Sequence, residues 1–166
     1  MSLFPTACLS AAAALLDACR GRHWHIATAE SCTGGLLGAC LTEHPGASAV
    51  VACGWITYAN EAKIALLGVA PATLAAEGAV SETTAREMAE GAQTRAGCDL
   101  AIAVTGIAGP GGGTATKPVG LVHIAVATHS GISHERHVFA GDRTAVRLAS
   151  VAAALRLALR AADATG

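Results

Sequence analysis

Between two apolar runs, residues 26 to 41 read IATAESCTGGLLGACL, and the polar centre of that stretch is dense in reactive groups. Ser31 follows a strand-like segment and precedes a helix-like one, where strand ends of an α/β fold open onto a crevice. The backbone N–H groups of Thr33, Gly34 and Gly35 carry little steric cover, and such groups at a helix start stabilise developing negative charge. A serine nucleophile with an oxyanion hole needs this local arrangement, whereas a plain helix cap needs only the hydroxyl. Cys32 is the rival nucleophile, because a helix start favours a thiolate. No base is visibly paired with it, and a packed thiol behind the site is the plainer reading.

A base is the second requirement. Nine of the eleven basic residues are arginine, and Lys63 and Lys117 are the two lysines. Lysine can release a proton in a protein and arginine cannot. Lys63 lies in TYANEAK, just beyond a strand end, together with Tyr58, the single tyrosine. Partial burial among Trp55, Ile56 and Leu66 would favour its neutral amine. A Ser–Lys pair helped by a tyrosine hydroxyl performs acyl transfer without histidine. The alternatives are a solvated lysine and a packing tyrosine.

A third stretch, TGIAGPGGGTATKPVG, begins at Thr105 and Gly106 and includes Gly112. Glycine-rich turns after strands can wrap a phosphate with backbone amides. The spacing is not that of a Walker loop. Lys117 could meet an anion here or stay solvated. Arg143, in GDRTAVR, falls in a helix first turn and could clamp a phosphate or carboxylate. The seven histidines show no metal spacing, and His123, inside an apolar strand, reads as a satisfied core residue.

The elements that must position these groups alternate between strand and helix. A first helix runs from about Thr6 to Cys19. A short buried strand covers His25 to Ala29, and GGLLGACLTEH is a helix stopped by Pro45-Gly46. AVVACGWITYA is a second strand, and NEAKIALL starts a helix with Asn60 as its cap. PATLAAEG is a short helix with Pro71 in its first turn, and Ser81 caps a longer one ending at Gly97. DLAIAVTG, apolar throughout, is a strand buried on both faces. VGLVHIAVATH and ISHERHVFAG form a hairpin joined at Ser130-Gly131. The last helix is capped by Asp142, with Leu148, Val151, Leu155 and Leu159 as its stripe. The order predicts a three-layer α/β/α sandwich around a mixed, mainly parallel sheet with one antiparallel strand.

Composition narrows the classes. The 166 residues suit a single domain, 1-166. Apolar residues make up 52% and aromatics 3%, so the core is built from small side chains. A net charge of −1 lacks the basic excess of a nucleic-acid binder, and no uninterrupted apolar run is long enough to span a membrane. The apolar N-terminus has no Lys or Arg ahead of it and is interrupted by Asp17, so it reads as a helix rather than a leader. A cytoplasmic location is expected, with the six cysteines as thiols. The Ala- and Leu-rich terminal helices are candidates for a homo-oligomer interface.

Taken together, TAESCTGGLLGACLTEHPGAS, GWITYANEAKIALLGV, AVTGIAGPGGGTATKPVGLV and GDRTAVR resemble the CinA C-terminal domain family along nearly the whole chain. The resemblance implies hydrolysis of the carboxamide of nicotinamide mononucleotide to nicotinic acid mononucleotide and ammonia. It places the family's serine on Ser31, within E-S-C-T-G-G, and its tyrosine and lysine on Tyr58 and Lys63, within Y-x-N-x-x-K. Ala59 stands where many members have serine. Longer members carry a further nucleotide-processing domain, and this chain looks like the single-domain form. Substrate contacts are expected from Glu30, Thr33, Gly34 and Gly35, from Asn60, and from Thr105, Gly106, Gly112 and Arg143. The scheme calls for no metal or organic cofactor and for a small-molecule substrate as the partner. The competing classes are a Cys32-dependent amidase and a non-catalytic pyridine-nucleotide-binding module.

Overall fold

The computed structural model describes residues 2–165. Five strands form one sheet: β1 (Ile26–Glu30), β2 (Val51–Ile56), β3 (Leu100–Gly106), β4 (Leu121–Thr128) and β5 (Gly131–Val138), in the order β2-β1-β3-β4-β5. β1 runs parallel to β2 and β3, and β4 is antiparallel to both its neighbours. One strand therefore opposes the other four, as the sequence predicts. The hairpin turn is His129-Ser130, one residue earlier than expected, because Thr128 pairs with Gly131.

The sheet's two faces differ in side-chain size, and the strand period of two makes them so. One face presents Ile26, Leu100, Ile102, Val104, Val122, Ile124 and Val126 to α1 (Thr6–Gly21), α2 (Leu36–Thr42) and α6 (Arg143–Ala164). The other presents Ala27, Ala29, Ala101, Ala103, Ala125 and Ala127 to α5 (Glu82–Ala96), whose Ala85, Met88, Ala89 and Ala92 are fully buried. Alanine against alanine brings that helix close. α1 and α6 lie against one another with Ala12, Leu15, Val151 and Leu155 hidden between them and the sheet. Their apolar stripes thus contribute to this chain's own core.

Beyond β2 the chain makes one helical turn, α3 (Asn60–Ala62), and widens into a π-helical turn over Lys63–Leu67. A π turn admits one extra residue and often marks a functional site. Here it directs both Lys63 and Leu67 inward. Gly91 of α5 makes this possible: a Cβ there would lie 1.8 Å from the Leu67 carbonyl oxygen. The α4 helix (Pro71–Glu77) then leads back to α5, whose cap is the Ser81 hydroxyl accepting from the Thr84 amide. No described helix is long and apolar enough to cross a membrane.

Candidate active site

Ser31 sits one residue beyond β1, with its amide on the Val104 carbonyl of β3 (2.9 Å). Lys63 reaches it from the π turn, with Nζ 3.1 Å from Ser31 Oγ. The same nitrogen lies 2.6 Å from the Thr57 carbonyl oxygen and 3.4 Å from that of Tyr58. Lys63 has no exposed surface and is the bulkiest fully buried side chain among the described residues. Among the described residues no carboxylate faces it, so burial holds its pKa below the ordinary 10.5, with only the neighbouring Cys32 acting against that. A neutral amine fits these contacts: its two hydrogens go to the carbonyls, and its lone pair is left to accept the serine hydroxyl proton.

The cleft around the pair has a volume of about 280 Å³. Thr105 and Gly106 at the end of β3, the loop from Ile107 to Gly112, and Arg143 line it together with Ser31, Cys32, Tyr58 and Lys63. The structure thus brings together Ser31, Lys63, Tyr58, Thr105, Gly106, Gly112 and Arg143, which lie far apart in sequence. Thr105 is fully buried and its hydroxyl donates to the Ala79 carbonyl (2.7 Å), fixing the floor. Around the loop, the Ala108, Gly109, Gly111 and Gly112 amides donate to no acceptor among the described residues. Lys117 donates to the Glu77 carbonyl and ties the far side of the loop to α4.

Four expectations are corrected by the geometry. Tyr58 does not offer its hydroxyl to Lys63. It is largely exposed, and the hydroxyl accepts from Arg143 Nη2 (2.9 Å), while Arg143 Nη1 donates to the Gly109 carbonyl (2.8 Å). Tyr58 meets Lys63 through its backbone oxygen alone. Asn60 is not a helix cap: Ala59 occupies that position, and Asn60 is exposed and does not line the cleft.

Glu30, the third, turns away from the cleft. Its Oε2 accepts from the Gly35 and Leu37 amides (3.1 and 3.0 Å), and its Oε1 from the Gly38 amide (2.9 Å). A carboxylate from β1 thus satisfies donors at the start of α2. Glu30→Gln keeps one acceptor and sets an NH₂ group against an N–H, so it is expected to lower stability by about 2 kcal/mol. Urea unfolding of the variant measures this.

The fourth correction concerns the oxyanion donors. The Gly34 amide donates to the Ser31 carbonyl (3.1 Å) and the Gly35 amide to Glu30, so neither is available. Gly34 and Gly35 instead take positive φ angles, 56° and 100°, and α2 begins only at Leu36. The remaining donors are the Cys32 and Thr33 amides, which reach no acceptor on any other described residue. Thr33 and Cys32 thus present backbone amides here, and the Cys32 thiol is not needed for that. Burial pushes that thiol up to about 11 and the Glu30 charge adds to this, while the residue's own backbone amide, Arg147 and Lys63 oppose it.

Sequence reasoning missed Arg147, whose Nε and Nη2 donate to the Cys32 and Thr33 carbonyls (3.1 and 2.9 Å). Its only signal was a position one helical turn after Arg143. Five of the six thiols are buried, and Cys53 stands exposed on edge strand β2. His123 is buried and shares a hydrogen bond between its Nδ1 and His134 Nε2 (2.9 Å).

The CinA C-terminal domain model matches residues 9–162. A CinA-like protein of Geobacter sulfurreducens is 54% identical over 130 residues, covering 78% of this chain and 32% of the relative. One from Chloroherpeton thalassium is 62% identical over 109 residues, covering 66% and 26%. The chain therefore spans about a third or less of the length of these curated relatives. Among solved structures, the competence/damage inducible protein CihA of Agrobacterium tumefaciens superposes with a TM-score of 0.95 at 47% identity, over 98% of this chain and 99% of that one. A CinA superfamily protein from Escherichia coli gives 0.89 at 34% identity, over 96% and 94%.

Proposed function

This chain belongs to the CinA C-terminal domain family, and from that premise we propose that it hydrolyses the carboxamide of nicotinamide mononucleotide, using Ser31 as nucleophile and Lys63 as base. The observation that carries the reading is a fully buried lysine, facing no carboxylate, whose Nζ is 3.1 Å from a serine hydroxyl at a cleft floor.

Ser31 Oγ attacks the carboxamide carbon, and its proton passes to the lone pair of Lys63. The Cys32 and Thr33 amides receive the oxyanion. Lys63 returns the proton to the amide nitrogen as the C–N bond breaks, and ammonia leaves. A water then attacks the acyl ester, gives its proton to Lys63, and Ser31 recovers it as the ester C–O bond breaks. Arg143 and the unpaired glycine-loop amides supply positive potential for the phosphate of the substrate. A thiol route through Cys32 is disfavoured, because a thiol pushed up to about 11 is almost wholly protonated at neutral pH.

An ammonia-release assay on the purified chain with the mononucleotide, its riboside and free nicotinamide tests this. Turnover is expected with the mononucleotide and should fall at least about tenfold without its phosphate, the loss of one charge-assisted contact. A rise in melting temperature with the mononucleotide, but no ammonia from any of the three, would leave a binding module instead.

A further inference from the structure

We propose that Arg147 is a positioning residue for the oxyanion site: it holds the 31–33 turn so that the Cys32 and Thr33 amide hydrogens face the reacting carbonyl. This rests on the amidase reading above and assigns a role that the Ser–Lys pair does not supply.

The argument starts from peptide planarity. The N–H of one residue points opposite to the C=O of the residue before it. The Cys32 amide shares its peptide plane with the Ser31 carbonyl, and the Thr33 amide with the Cys32 carbonyl. The Gly34 amide pins the first of these carbonyls (3.1 Å) and Arg147 Nε pins the second (3.1 Å), so both N–H vectors are set from behind. Arg147 Nη2 holds the next carbonyl, that of Thr33, at 2.9 Å. A planar fork fixes two carbonyls in one geometry, which a lysine ammonium cannot reproduce. Among the described residues no carboxylate pairs with Arg147, so its charge falls on these carbonyls and strengthens directly the peptide dipole behind the Thr33 amide, while the Cys32 amide is backed through the Gly34 contact to the Ser31 carbonyl. Gly34 makes room for it: a Cβ there would lie 3.3 Å from Arg147 Nη2. The support crosses 115 positions of sequence, from α6 to the turn after β1.

The test compares Arg147→Met and Arg147→Lys, each alone and combined with Ser31→Ala, with melting temperature as the folding control. Loss of oxyanion alignment is felt in the transition state and not in the bound substrate. For Arg147→Met we expect kcat to fall about 100-fold, the effect of losing one oxyanion donor, with KM within about threefold of wild type. The mononucleotide should bind Arg147→Met/Ser31→Ala as tightly as Ser31→Ala. Millimolar methylguanidinium should restore part of the turnover of Arg147→Ala. Wild-type kcat in a folded Arg147→Met, or a kcat loss matched by weaker binding, would overturn the proposal. If Arg147→Met does not fold, Arg147→Lys decides: about tenfold lower kcat at unchanged KM supports the role, and wild-type kcat refutes it. Full turnover by Ser31→Ala would sink the amidase reading and this proposal with it. An inactive Ser31→Ala beside an unaffected Arg147→Met sinks this one alone.

Discussion

Ser31→Ala is expected to abolish ammonia release, with kcat reduced by at least about 10⁴-fold, while the mononucleotide still binds. Ser31 is buried at the cleft floor, its amide is fixed on Val104, and among the described residues its hydroxyl meets only Lys63, so its loss removes the proposed nucleophile without disturbing the cleft wall. Truncation by one oxygen leaves a void too small to reshape a site bounded by β1 and β3. Calorimetric titration of the variant should give a Kd within about threefold of that of the wild type, since the ground-state contacts are elsewhere. The measurement pair is single-turnover ammonia release and binding. Retained turnover in a folded variant would exclude Ser31 as the nucleophile.

Lys63→Met should be equally inactive and yet more stable near neutral pH. Methionine fills nearly the same volume and requires no deprotonation on folding. In wild type the lysine is protonated in the unfolded chain up to its ordinary 10.5, whereas burial lowers its pKa in the folded chain. Between those two values the unfolded chain binds one more proton, so folding stability rises with pH across that window and reaches its full value above 10.5. Below the lowered value the whole cost remains. Lys63→Met lacks this dependence. It does forfeit the donor to the Thr57 carbonyl (2.6 Å), which offsets part of the gain. The net expectation is about 1 kcal/mol, or ~2–4 °C in Tm for a chain of this size, narrowing as pH approaches 10. Melting curves at several pH values check it. Wild-type kcat should likewise rise with pH through the lowered Lys63 pKa, because only the neutral amine accepts the hydroxyl proton. A flat profile in both stability and rate would mean that this nitrogen is charged in the working enzyme.

The two variants separate what a buried amine does from what a nucleophile does. Ser31→Ala removes the proposed nucleophile at little structural cost, and Lys63→Met removes a group that the fold carries at a penalty. A stability gain on losing the second is the signature of a residue retained for chemistry.

Local pattern and composition determined a good deal by themselves. The apolar run DLAIAVTG announced a strand buried on both faces, which Leu100–Gly106 is, and Ser81, Asp142 and Pro71 marked helix starts that the structure keeps. Ser31, Lys63, Thr105 and Arg143 were legible as chemical groups because residue type and a strand-end position can be read one segment at a time. Which atoms face one another could not be read so. A carboxylate beside a nucleophile looks like a site residue until three amides from the next helix claim it, as they do at Glu30. The Tyr58 hydroxyl went to Arg143, 85 positions away, and Gly34 and Gly35 were already engaged, which leaves the Cys32 and Thr33 amides as the proposed oxyanion donors. Periodicity is a short-range property, fixed by backbone geometry over a few residues. Hydrogen-bond partnership within a buried site is decided by every donor and acceptor that packing brings there, and only the tertiary structure brings Arg147 to the turn and Lys63 to Ser31.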